Sequence, residues 1–154
     1  MTGSQAAAPP SAHKMPSRQA RLRQASLAIV IVLIVQFGLG IGVNLYVTLP
    51  AAGRPGHASW FGNGPLLASH VALGMFLVLA AIFVLVRAIR ARDATLMLTS
   101  AAGLAAILTA FFFGASFADK LTNGYSLGMA IAFAVALACY VIGLYAASTR
   151  RGSS

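Results

Sequence analysis

The chain has 154 residues, 59% of them hydrophobic and 8% charged, with a formal net charge of +9 and a mean hydropathy of +0.84. A soluble domain carries roughly 45–50% apolar and about 25% charged residues, so this composition cannot cover a water-facing surface. The single cysteine, Cys139, excludes an intrachain disulfide framework and a cysteine cage for a metal.

Residues 1–25 hold Ala6-Ala7-Ala8-Pro9-Pro10-Ser11 and then Lys14, Arg18, Arg21 and Arg23, with no apolar periodicity. This pattern predicts a disordered basic tail. No charged residue occurs in 26–49, 66–86, 94–118 or 121–149. A bilayer core about 30 Å thick needs roughly 20 apolar residues in a helix. The runs predict an all-α, four-helix transmembrane bundle in one membrane domain (26–149), with helices near 26–49, 66–89, 95–117 and 124–147. A short tail, 150–154, follows. Short connections make sequential helices antiparallel neighbours.

The breaks carry their own signals. Pro50 ends the first helix, and Gly53, Pro55, Gly56, Gly62 and Gly64 keep the following loop from staying helical. Pro65 suits a first helical turn, where its missing N–H is not needed. Asp93 is placed to cap the third helix and Thr122 or Asn123 the fourth. The first apolar run exceeds the roughly 7–15 residues of a signal-peptide core, so it reads as a retained anchor.

Lys and Arg set the expected orientation. The N-terminal tail, the middle loop (Arg87, Arg90, Arg92) and the C-terminus (Arg150, Arg151) hold nine of them, whereas the other two loops hold only Arg54 and Lys120. Both termini are therefore expected in the cytoplasm of a multi-pass cell-membrane protein, with loops 50–65 and 118–123 outside. Topology and anionic headgroups account for the basic excess, which argues against nucleic acid as a partner and for the lipid bilayer.

Polar side chains are costly in lipid and mark candidate sites. His70 lies about four residues into the second helix, roughly 6 Å below the outer boundary at 1.5 Å per residue. Asn44 lies about six residues from the outer end of the first helix, near 9 Å deep on the same scale, and is expected to meet His70. Ser69, Ser116, Asn123, Tyr125 and Ser126 fall on the same side. Gln36, Gly40 and Asn44 recur every four residues and share a face, while Gly38 and Gly42 form a small-xxx-small pair for close helix approach. The face serves either packing or a groove for a flat apolar ligand. His70 is either satisfied internally or a ligand to haem iron or another metal. His57 is the other histidine on that side, and no second one stands on the fourth helix. Trp60, Phe61 and Tyr46 suit the interface belt, Phe111-Phe112-Phe113 lipid contact and core, and Cys139 inert packing.

Gln36-Phe37-Gly38-Leu39-Gly40, an outer loop, then His70 with Leu73-Gly74 resembles one four-helix half of haem A synthase. That resemblance implies haem held near the outer helix ends, with His70 at a haem-ligand position. The chain holds one half only, and loop 50–65 lacks both cysteine and acid. Residues 42–50, followed by the histidine of the second helix, also resemble small four-helix membrane proteins of high-GC bacteria, which implies no function.

No catalytic constellation stands out, so an enzyme is the less favoured reading. The leading expectation is a non-enzymatic accessory or structural component that packs with other membrane subunits or with itself. The alternative is a membrane redox protein binding haem b or quinone through His70, Gln36 and Asn44. A small transporter or lipid-handling protein ranks third, because no charge for coupling lies deep in a span.

Overall fold

The computed structural model describes residues 18–47, 64–120 and 122–149. Expectations for residues 1–17, for the loop bearing Arg54, His57, Trp60 and Phe61, and for Arg150 and Arg151 lie outside the described residues. Four helices follow one another: α1 (Arg18–Tyr46), α2 (Pro65–Ala91), α3 (Ala94–Lys120) and α4 (Asn123–Thr149). Each is long and apolar enough to cross a membrane.

Helix α1 starts at Arg18, about two turns before the charge-free run begins. A helix satisfies its own backbone and need not stop where hydrocarbon stops. Arg21 and Arg23 are exposed on this extension, where long basic side chains reach toward headgroups. Gly64 precedes Pro65 with φ 104, a backbone that side chains rarely adopt. At the other end of α2, Arg92 closes the helix in the left-handed region (φ 53), and its N–H donates to Ile89 O at 3.0 Å. A Cβ there costs roughly 1–2 kcal/mol. Arg92→Gly is therefore expected to stabilise the folded bundle by about 1 kcal/mol, read as a later midpoint in denaturing-detergent unfolding.

Asp93 caps α3 as expected, accepting the Leu96 N–H at 3.2 Å. Thr122 does not act as a side-chain cap for α4. Its hydroxyl turns back to donate to Lys120 O at 3.2 Å, and only its carbonyl accepts the Tyr125 N–H. Lys120 bonds the Tyr125 hydroxyl at 3.1 Å across the same turn.

The helices form a ring in which α1 touches α2 and α4, and α3 touches α2 and α4. The seam between α3 and α4 is the most extensive, and glycines explain it. A Cβ on Gly103 would stand 2.6 Å from the Tyr140 ring, one on Gly143 2.8 Å from Thr99 Oγ1, and one on Gly128 3.1 Å from the Phe113 ring. Each missing Cβ admits a side chain of the facing helix, the close approach that stabilises helices where no water-driven term acts.

The main core joins Ile29 and Leu33 of α1, Leu77, Ala81 and Val84 of α2, Ala106 and Ile107 of α3, and Ala136 and Tyr140 of α4. It fills the half of the bundle nearer the α2–α3 turn. The outward surface is apolar: Leu98, Phe112 and Leu79 are exposed, as is Tyr46 at the end of α1. Water would not tolerate such a surface, but acyl chains match it. Phe113 packs inward while Phe112 faces out, and Cys139 is half-buried and free.

Candidate functional site

The other half of the bundle is looser. A partly open cavity of about 280 Å³ lies between all four helices, with Gln36, Asn44, His70 and Ser126 among its polar wall residues. Among the described residues its wall contains no Asp, Glu, Lys or Arg, and Phe37, Phe111, Phe117 and Phe133 supply aromatic surface. Phe37 and Phe133 stack across the α1–α4 seam, with ring centroids 5.0 Å apart.

All three candidate residues thus line one cavity, but His70 takes a partner other than the expected one. The Gln36 side chain donates through Nε2 to His70 O at 3.0 Å, and the same nitrogen stands 3.4 Å from His70 Nε2. Asn44 is exposed on the wall and makes no hydrogen bond to His70 among the described residues. The register explains the exchange. Gly42 lies against Leu66, Gly40 against His70, and Gly74 against Gln36. Asn44 therefore sits about a turn beyond the imidazole, toward the end of α1.

Two reciprocal notches hold the pair. A Cβ on Gly40 would stand 3.1 Å from His70 Cε1, and one on Gly74 3.1 Å from Gln36 Nε2. A glycine of each helix accommodates the polar side chain of the other. Gly74 carried a readable signal, since it stands four residues after His70 and shares its face; the readings above used it only for a resemblance. Gly38 has no neighbour within 4 Å of its Cβ position, whereas Gly42 meets α2. The small-xxx-small pair is therefore split between an open face and a packed one.

Two polar atoms are left buried without partners in this corner: Gln36 Oε1 and His70 Nδ1. Such orphans are rare in folded proteins and need an explanation. Of the other polar residues near this end, Ser116 and Ser126 are half-buried, Ser126 on the cavity wall. Ser69 donates to Pro65 O at 2.7 Å, and Asn123 is exposed at the start of α4.

The haem implied by the resemblance does not fit these residues. Cε1 and Nδ1 of the imidazole lie against Gly40, and Nε2 faces the Gln36 amide, so neither ring nitrogen is open to iron with the side chains as they stand. Among the described residues the wall offers no second histidine as an axial ligand and no cation for propionates. The cavity also lies at the lower edge of the ~300–1,000 Å³ usual for small-molecule sites, too small for a tetrapyrrole.

Fold and site together describe a small, multi-pass integral membrane protein with an uncharged cavity inside its bundle. Comparison with protein-family models, with curated proteins and with solved structures finds no match to this chain.

Proposed function

We propose that this chain is a membrane-embedded binding protein for an uncharged amphiphile, which it holds in the cavity between its helices. The observation that carries the reading is a wall that is apolar and charge-free among the described residues, with two orphaned polar atoms, Gln36 Oε1 and His70 Nδ1, in one corner. A phospholipid headgroup or a haem propionate needs a cationic partner, and the described wall residues offer none. A neutral molecule dissolved in the bilayer needs none.

The contact order 42–66, 40–70 and 36–74 supports antiparallel α1 and α2. The excess of Lys and Arg at the termini and the α2–α3 turn supports a cytoplasmic position for both termini. The cavity then lies beneath the outer leaflet and is reached from lipid rather than from the cytoplasm.

Ala110 is half-buried on the α3 wall, so Ala110→Phe adds bulk to the cavity from a helix other than the two that carry the polar pair. Native mass spectrometry after mild solubilisation is expected to show a neutral lipid adduct on the wild type, reduced at least about tenfold in Ala110→Phe. A wild type that stays bare in native lipid extract overturns the reading.

One observation favours a second reading, that of an accessory subunit. The open Gly38 on α1 leaves a notch for a helix of another subunit or a second copy. Gly38→Leu is then expected to remove a co-purifying partner or a dimer band while leaving lipid binding intact. A chain that is monomeric and partner-free before the substitution removes this reading.

A further inference from the structure

The chemistry of the polar corner narrows the ligand further, on the reading that the cavity binds an amphiphile. A carbonyl oxygen cannot donate a hydrogen bond, so the Gln36 atom 3.0 Å from His70 O must be the amide nitrogen. That contact fixes the orientation of the amide. Its second N–H is directed to His70 Nε2 at 3.4 Å, which makes Nε2 the accepting nitrogen. In a neutral imidazole the proton then resides on Nδ1. The two orphans are therefore of opposite kind: His70 Nδ1–H is a donor and Gln36 Oε1 an acceptor.

We propose that Gln36 holds His70 as the Nδ1–H tautomer, and that this donor–acceptor pair selects neutral ligands bearing a hydroxyl over their carbonyl or ether counterparts. A hydroxyl donates once and accepts twice, so it can serve both kinds of orphan. A ketone, a quinone or an ether accepts only and leaves Gln36 Oε1 unpaired in a dry site. One unpaired buried acceptor weakens binding about tenfold. Both atoms are enclosed in this structure, so a ligand meets them after a side-chain shift that keeps the Gln36 Nε2–His70 Nε2 contact. The described wall residues carry no charge to pair with an ionised headgroup, and Phe37, Phe111, Phe117 and Phe133 suit an isoprenoid or ring-bearing body. The shared chemistry is a neutral hydroxyl on an apolar body, supplied either by a hydroquinone or by a lipid alcohol.

Two matched probe pairs distinguish these sources in the purified full chain: a decyl-substituted benzoquinol with its benzoquinone, kept anaerobic, and farnesol with its methyl ether. The hydroxyl member is expected to bind about tenfold more tightly in at least one pair, and that pair names the source. Nitrogen-15 spectra of labelled histidine are expected to show protonated Nδ1 in the ligand-free wild type, with the preference lost in Gln36→Leu. Gln36→Leu is also expected to bring the two members of a pair within about twofold of each other. Equal affinities within both pairs, both blocked by Ala110→Phe, overturn the selectivity and leave the cavity reading standing. No binding of any probe overturns both, and an Nε2–H tautomer in the wild type overturns the role given to Gln36.

Discussion

Replacing Tyr140 with alanine is expected to destabilise the bundle by about 3 kcal/mol, at the lower end of the ~3–5 kcal/mol typical of large aromatic deletions. The ring is fully buried in the main core and fills the notch left by Gly103. In a bilayer the loss comes from the cavity and the missing dispersion contacts, because lipid tails are as apolar as the core itself. The Tyr140 hydroxyl, by contrast, is buried without a partner. Tyr140→Phe removes that unpaired group and keeps the ring, so it is expected to stabilise by about 1 kcal/mol. Gly103→Ala approaches the problem from the other side: its Cβ would stand 2.6 Å from the ring, and overpacking of this kind costs about 1–3 kcal/mol. Reversible unfolding in mixed micelles measures all three. A Tyr140→Ala variant as stable as the wild type removes the α3–α4 seam from the account of stability.

The second large effect separates a binding site from interhelical glue. Interhelical hydrogen bonds in membrane proteins average only about 0.6 kcal/mol, whereas a buried unpaired polar group costs about 1–3 kcal/mol. The Gln36–His70 corner has few bonds and two orphans, so the empty protein gains little from it. Gln36→Leu combined with His70→Leu is expected to be at least as stable as the wild type without ligand, while losing tenfold or more in ligand affinity. Gln36→Leu alone is expected to destabilise by about 1–2 kcal/mol, because both ring nitrogens then lack a partner. If the double variant instead loses more than about 2 kcal/mol, the pair serves packing and the polar corner is no binding determinant.

The notched seams also explain why the lower half of the bundle is dense and the other half is not. Tyr140, Leu33 and Ile107 belong to one core cluster at the middle of the bundle. Beyond them, small wall residues such as Ala110, Ala115 and Ala130 leave space that the four phenylalanines border but do not fill. Close helix approach comes from glycines that face a bulky side chain, and the open space from alanines that face the lumen.

Four charge-free runs were readable from one dimension, because hydrocarbon thickness translates directly into a count of apolar residues. The Asp93 cap was readable for a similarly local reason, since the side chain bonds a backbone group three residues away. The identity of the partner of His70 was not. Depth arithmetic put Asn44 beside it, but depth along a helix says nothing of rotation about its axis. The Gly40 and Gly74 notches set that rotation and the register between α1 and α2, and they bring Gln36 to the imidazole. The orphaned atoms and the uncharged cavity are likewise properties of four helices packed together, to which distant residues contribute at once; no single segment contains them.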